Sequence, residues 1–161
     1  MNHQSEIYNI FNKINSTELR YFQFKGNTNL ENSFLGKSDF DIVVHKDDCK
    51  KFEILLLELG FKRRCSSLDK FEFGIEDYLF YDKKSEEMYH FQIHKDILFG
   101  NILPNEYCIK NTDFWFNNFT LDSKYPIYVA IPELEMILVT FQILLKSNLH
   151  KSTKNRAKKI L

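Results

Sequence analysis

Two aspartates that stand two residues apart are the side chains in this sequence best suited to chemistry. Asp39 and Asp41 lie in the stretch Gly36–Val44, and three β-branched apolar residues follow them directly. Because residues i and i+2 of a β-strand point to the same face, both carboxylates are expected to project together, while Phe40 and Ile42 point into a core. Paired carboxylates repel each other unless a cation lies between them, and hard oxygen ligands suit Mg²⁺. The spacing therefore predicts a magnesium site. The alternative is a turn residue followed by a solvated residue at a strand edge.

The segment before the aspartates contains a turn that suits phosphate. Tyr21–Asn27 is an aromatic run that ends in Gly26 and Asn27. A glycine has no Cβ, so its backbone N–H can approach a phosphate, and the Asn27 amide can donate to a phosphate oxygen. Lys25 and Lys37 flank this region and could neutralise phosphate, although exposed lysines are common on any protein surface. The alternative is that Gly26 serves only as a turn residue.

The order of these features resembles the nucleotidyltransferase superfamily, which has the polymerase-beta-like fold. That superfamily has Gly-Ser or Gly-Gly after its first strand and Asp-x-Asp or Asp-x-Glu on its second; here the residues are Gly26-Asn27 and Asp39-Phe40-Asp41. The chain is similar to a bacterial branch of the superfamily that is often encoded near polysaccharide genes. Further resemblance lies at the alternating stretch Tyr89–His94 and at Pro132–Glu135, which opens the final helix. The resemblance covers most of the chain.

The resemblance implies an α/β (α+β) fold, in which helices pack against a short mixed sheet. It also implies Mg²⁺-dependent transfer of a nucleoside monophosphate from a nucleoside triphosphate to a hydroxyl group of a small molecule, sugar or protein. Asp39 and Asp41 would be the catalytic metal ligands. The residues expected to bind the nucleotide are Lys25, Gly26, Asn27 and Lys37.

The third carboxylate of the superfamily has no obvious counterpart in this sequence. The superfamily usually places it on the antiparallel strand after a hairpin, and the matching positions here are His90, Gln92 and His94. Gln92 or His94 would complete the site as a third arm. Three acids nearby are possible substitutes, and the sequence does not choose among them: Glu72, Glu76 and Asp77. A catalytically lapsed nucleotide-binding or scaffold module is therefore the second hypothesis, and an accessory domain that acts through a basic C-terminus is a third.

The composition indicates one compact domain over the whole chain. The 161 residues are 43% hydrophobic, and 22 basic side chains balance 22 acidic ones. This balance gives no reason to expect a nucleic-acid or membrane partner, except at the stretch 146–161, which carries basic residues and no acid. That stretch is either a nucleic-acid contact or a solvated helix end. The cysteines lack metal-like spacing, and the N-terminus lacks the segments of a signal peptide, so a cytoplasmic protein is expected.

The spacing of apolar residues, together with turn and helix-capping residues, predicts the helices and strands that must position the site. Apolar residues at helical spacing after Ser5 predict a first helix, and Gly60 is expected to end a helix that begins near Lys46. A polar connection between two alternating stretches predicts a β-hairpin. The other expected elements are strands at 20–25, 39–45 and 61–66, a short connection at 29–35, an unclear segment at 105–120 interpreted as one helix, an edge strand at 125–131 and a helix at 132–148.

Overall fold

The chain folds into helices packed on a mixed sheet. The computed structural model describes residues 6–64, 74–99, 107–110 and 113–145. The helices are α1 (Glu6–Asn15), α2 (Leu30–Phe34), α3 (Cys49–Glu58), α4 (Asp113–Phe116) and α5 (Pro132–Leu145), with a short 3-10 helix at Asn27–Asn29. The strands are β1 (Tyr21–Gln23), β2 (Phe40–Val44), β3 (Lys62–Arg63), β4 (Ile75–Asp82), β5 (Glu87–His94), β6 (Ile97–Phe99), β7 (Tyr107–Ile109), β8 (Phe119–Leu121) and β9 (Tyr128–Ala130). The predicted α+β fold class is confirmed.

The strand that carries Asp41 lies at the centre of the sheet. Within the described residues the strand order is β3-β4-β5-β2-β1-β9-β8, and β6 pairs separately with β7. β2 runs antiparallel to β1 and parallel to β5, while β4 and β5 form an antiparallel hairpin. The residues of β2 are therefore hydrogen-bonded on both sides, which fixes their side chains in register with those of β5.

One face of the sheet packs against α1, α2 and α3 around an aromatic core. The ring of Phe11 in α1 lies 5.0 Å from that of Phe40 and 5.3 Å from those of Phe34 and Phe91, measured between centroids. None of these four side chains is more than 3% exposed. Because strand residues alternate between faces, Asp41 beside Phe40 must point to the opposite face.

The opposite face is apolar in one part and polar in another. Val43 of β2 packs with Phe22 of β1 in a second core, which α4 and α5 cover with residues such as Trp115 and Leu134. Asp41 lies two residues before Val43 on the same face of β2. The face therefore changes from apolar to polar along β2, and the polar part is the candidate site.

Helix α5 begins at Pro132, as predicted, since a proline is favoured at the first helical position. Leu134 and Leu138 are buried against the second core, whereas Met136 and Ile137 are exposed. None of the helices in the described residues has the length and apolar character needed to cross a membrane.

Two sequence predictions about the later elements are wrong. The segment 105–120 is not one helix, because its described parts form β7, the single turn of α4 and most of β8. The strand near 125–131 is not at the edge, since β9 lies between β1 and β8. Three aromatic residues in a row, Phe114–Phe116, suit one helical turn or a strand equally well. In the described sheet β8 is the outer strand, because it pairs with β9, for example at Thr120 opposite Val129.

The aromatic core predicts a large stability effect at Phe11. Phe11→Ala should lower the free energy of unfolding by about 3–5 kcal/mol, because it leaves a cavity among rings that cannot close around it. Urea unfolding followed by circular dichroism measures the change. Phe114→Ala is the matched control: its side chain is 61% exposed, and its effect should stay within about 0.5 kcal/mol. Equal losses in the two variants would contradict this account of the core.

Candidate functional site

Asp39 and Asp41 lie at the amino-terminal end of β2 and share one face of the sheet. Asp39 contacts His90, and Asp41 contacts His94. The two histidines are four residues apart on β5, so their side chains point to the same face. The common face predicted from the i, i+2 spacing is therefore present. The contacts differ, however: each aspartate has its own partner.

Lys25 relieves the repulsion expected at this pair. Its Nζ lies 2.7 Å from Oδ1 of Asp41, and both side chains are largely buried. Burial disfavours the ionised form of Asp41. The nearby charge of Lys25, helped by His94, outweighs that effect and holds the pKa of Asp41 below its usual value. Asp41 is therefore an ionised carboxylate at neutral pH, with a lysine of the protein as its counter-charge.

His90 bridges two carboxylates. Its Nδ1 lies 3.0 Å from Asp39 Oδ1, and its Nε2 lies 2.8 Å from Asp77 Oδ1. The hydrogen bond to Asp39, supported by that to Asp77, outweighs partial burial and raises the pKa of His90. A histidine held in this way favours its charged form, in which both ring nitrogens donate. The sequence predicted only that His90 is one of the positions facing the aspartates. Its second contact, with Asp77, was not predicted.

One row of side chains runs across three strands of the site. Asp41 lies opposite Gln92 in the β2–β5 ladder, and Gln92 lies opposite Asp77 in the β4–β5 ladder. The expected strand after the hairpin is thus present, but it runs parallel to β2 rather than antiparallel. Gln92 stands beside Asp41, and an acid reaches the same face from the neighbouring strand. The sequence left Glu72, Glu76 and Asp77 open, and pairing Asp82 with Glu87 across the predicted hairpin would have placed Asp77 opposite Gln92.

His94 lies beneath the site rather than on its surface. The residue is 1% exposed, and its Nε2 lies 3.5 Å from Asp41 Oδ1. Burial, together with the charge of Lys25, lowers the pKa of His94, so the ring is neutral. Nδ1 has no hydrogen-bond partner among the described residues, whereas Nε2 has its contact with Asp41. His94 therefore reaches the Asp pair, as expected of a third arm, but it is not exposed to an incoming ligand.

The predicted Gly26 turn is present next to Asp41. Gly26 has a φ of 81°, in the left-handed region that glycine adopts readily. Just before it, the backbone N–H of Phe24 donates to the carbonyl of Asp41. The side-chain amide of Asn27 is shielded from solvent, and neither its nitrogen nor its oxygen has a partner among the described residues. An amide with both polar atoms unpaired is suited to receive a polar ligand.

Other candidates from the sequence lie elsewhere. Lys37 is exposed in the turn before β2 and forms no ion pair with Asp39 or Asp41 among the described residues. Glu76 points to the opposite face, where Arg63 and Lys95 pair with it. Glu72 and the basic stretch 146–161 lie outside the described residues.

A cavity of about 630 Å³ lies on the face opposite the Asp row. Glu76, Tyr78 and Ile93 line it, and these residues alternate with Asp77 and Gln92 along their strands. The cavity is therefore separated from the carboxylates by the sheet itself.

The donor chemistry at the Asp row fits Mg²⁺. Mg²⁺ is bound through one or two carboxylates together with substrate phosphates and water, and the unpaired Asn27 amide lies on the adjoining turn. Within the described residues no group of three or more His, Cys, Asp and Glu side chains is arranged to hold a metal ion. The contacts explain this result, since His90 lies between Asp39 and Asp77 while Lys25 lies against Asp41. Carboxylate oxygens of Asp39 and Asp41 would hold such an ion, and each of these side chains already has a partner in the protein.

Comparisons of this chain with protein-family models, with curated proteins and with solved structures found no match.

The two site histidines should titrate in opposite directions. In the metal-free protein, NMR titration of the imidazole carbons should place the pKa of His90 above about 6.5 and that of His94 below it. The His90 bridge then stabilises the fold fully below about pH 6.5, and this contribution is lost as the pH rises through the raised pKa. Burial of neutral His94 acts the other way: stability falls as the pH drops below about 6.5, because the unfolded chain takes up that proton more readily.

Asp77→Asn provides the control for this titration. Removing one of the two charges beside His90 should lower the pKa of His90 and leave that of His94 nearly unchanged. If His90 titrates at or below its ordinary value in the unmodified protein, the bridge does not persist in solution.

Proposed function

We propose that this protein is a Mg²⁺-dependent nucleotidyltransferase-like protein that transfers a nucleoside monophosphate to a hydroxyl acceptor. One observation carries the proposal: two carboxylates share the face of β2 at the same end as the Gly26 turn, whose Asn27 amide is shielded from solvent and has no partner in the described part of the chain. Carboxylates beside a phosphate-binding turn are the parts this reaction needs. The likeness of Gly26-Asn27 and Asp39-Phe40-Asp41 to the nucleotidyltransferase pattern supports the same reaction.

The reaction is a displacement at the α-phosphate. The acceptor oxygen forms a bond to the α-phosphorus, the bond from that phosphorus to the oxygen bridging to the β-phosphate breaks, and pyrophosphate leaves. The hydroxyl proton passes to solvent. Bound Mg²⁺ supplies charge neutralisation for the phosphates and lowers the pKa of the attacking hydroxyl.

The residues of the chain would have two roles in this reaction. Some bind the phosphates through hydrogen bonds, and the others supply charge. The backbone at Gly26 and the amide of Asn27 hold phosphate oxygens, because both can donate hydrogen bonds there. Lys25 lies against Asp41, where its ammonium group would also face an incoming triphosphate. Asp39 and Asp41 would hold the metal through their carboxylate oxygens.

A lapsed nucleotide-binding or scaffold module is the second candidate, and two contacts favour it. Lys25 pairs with Asp41, and His90 pairs with Asp39, so both carboxylates already have cationic partners from the protein. Gln92, an amide, occupies the position expected for the third acid. Such a module would keep nucleotide binding without transfer.

Asp41→Asn tests the role of the carboxylate. In a thermal-shift titration, Mg²⁺ with one of the four nucleoside triphosphates should stabilise the unmodified protein, and the Asn variant should lose most of that shift. The variant should keep its fold, since the amide has the same shape and the Phe24–Asp41 backbone hydrogen bond is retained. Its metal-free stability should fall by about 1–3 kcal/mol, because Lys25 is left largely buried without its partner.

Asp47→Asn is the matched control. It makes the same chemical change beyond the other end of β2, where the carboxylate is 66% exposed, and it should leave nucleotide binding intact. Stabilisation of Asp41→Asn equal to that of the unmodified protein would show that Asp41 does not bind the metal. Transfer of label from an α-labelled triphosphate separates the two candidates, since only the enzyme releases pyrophosphate while retaining the label on an acceptor.

A further inference from the structure

The cavity of about 630 Å³ lies between α3 and the β4–β5 hairpin, on the face of the sheet opposite the carboxylates of the candidate site. Four of the side chains that line it are at most 4% exposed: Phe52, Leu56, Tyr78 and Ile93. They give the cavity an aliphatic and aromatic floor. Cavities of this size with largely apolar walls bind small organic molecules in many proteins. The floor is therefore suited to the apolar body of a ligand.

The rim of this cavity carries an excess of positive charge. Four lysines line the cavity, against three acids. All four lysines are exposed, so their ammonium groups can reach a ligand: Lys46, Lys50, Lys95 and Lys110. Lys46 forms no ion pair within the described residues. Its charge is therefore available to an anion that enters the cavity.

The three acids of the lining are already paired with cations of the protein. Glu53, Glu76 and Asp96 each lie 3.8 Å or less from a lysine of the rim. Arg63 contacts both glutamates, and Glu76 also accepts a hydrogen bond from the hydroxyl of Tyr78. A cationic ligand would have to displace these partners, whereas an anionic one would not. The charges of the lining therefore favour an anion.

We propose that this cavity is a second binding site, which takes a small organic anion: an apolar body that carries one carboxylate, phosphate or sulfonate group. The apolar body lies on Phe52, Leu56 and Ile93, and the anionic group lies among the lysines of the rim, next to Lys46. This inference is independent of the proposed function, because the sheet separates the cavity from Asp39 and Asp41.

Two dyes that differ in one charged group test the chemical class of the ligand. The probes are 8-anilinonaphthalene-1-sulfonate and N-phenyl-1-naphthylamine, which share an aromatic body, and only the first carries an anion. Both become fluorescent in apolar surroundings, so fluorescence titration of the full-length chain gives each Kd. The sulfonate dye should bind, and the neutral dye should bind more weakly by about fivefold or more, because it gains nothing from the lysines.

Lys46→Gln tests the role of the rim. The variant should weaken binding of the sulfonate dye about threefold, since it removes the lysine that has no ion pair among the described residues. Lys62→Gln is the matched control, because Lys62 is an exposed lysine of β3 outside the lining. It should change the Kd by no more than about 1.5-fold. Both side chains are exposed, so both variants should keep the fold.

NMR locates the bound dye. Nuclear Overhauser effects from the aromatic protons of the sulfonate dye should reach the methyl groups of Leu56 and Ile93 in the floor. They should not reach those of Ile54, which is 46% exposed on α3 and lies outside the lining. Ile54 is therefore an internal control for adsorption of the dye to exposed apolar surface.

The inference is overturned if the sulfonate dye does not bind, if the neutral dye binds as tightly, or if the Overhauser effects reach Ile54 instead of Leu56 and Ile93. Equal effects of Lys46→Gln and Lys62→Gln would also overturn it, because the dye would then respond only to the general surface charge. None of these measurements involves Mg²⁺ or a nucleotide, so their failure is distinguishable from failure of the proposed function.

Discussion

The parallel pairing of β2 with β5 is the interaction on which the candidate site depends. It sets Phe40 beside Phe91 on the buried face and Asp41 beside Gln92 on the other. A slip of one residue would exchange the two faces and drive a carboxylate into the aromatic core. Burial of the phenylalanines against Phe11 therefore holds the register. The apolar side chains thus determine where the polar ones meet.

The charges at this pairing are arranged so that the fold tolerates several carboxylates in a small area. Lys25 forms an ion pair with Asp41, and His90 contacts both Asp39 and Asp77. Any cation that enters must compete with these two side chains.

The two ends of β2 differ in how completely their polar groups are satisfied. At the carboxyl end, the buried imidazole of His45 lies 2.9 Å from Asp113, and Arg20 lies 2.8 Å from Asp48. These contacts tie α3 and α4 to the sheet. At the amino end, by contrast, the side-chain amide of Asn27 is shielded from solvent and has no partner among the described residues. Satisfied clusters stabilise a fold, whereas unsatisfied ones mark the place where a ligand would contribute.

The sequence by itself determined the local helices and strands, and it determined that Asp39 and Asp41 share one face of β2. Helical spacing predicted the buried residues Ile7, Ile10, Phe11 and Ile14 of α1, and period-two alternation predicted the faces of β2 and β5. These patterns arise from neighbouring residues in the chain, so they can be recognised without any knowledge of the partners.

Only the tertiary structure decided which strands lie side by side. The parallel direction of β5 beside β2 and the interior place of β9 both depend on that arrangement. Strand order follows from burying two cores on opposite faces of one sheet. Burying both cores requires contacts between residues far apart in the chain, so the strand order cannot be read from any short stretch of sequence.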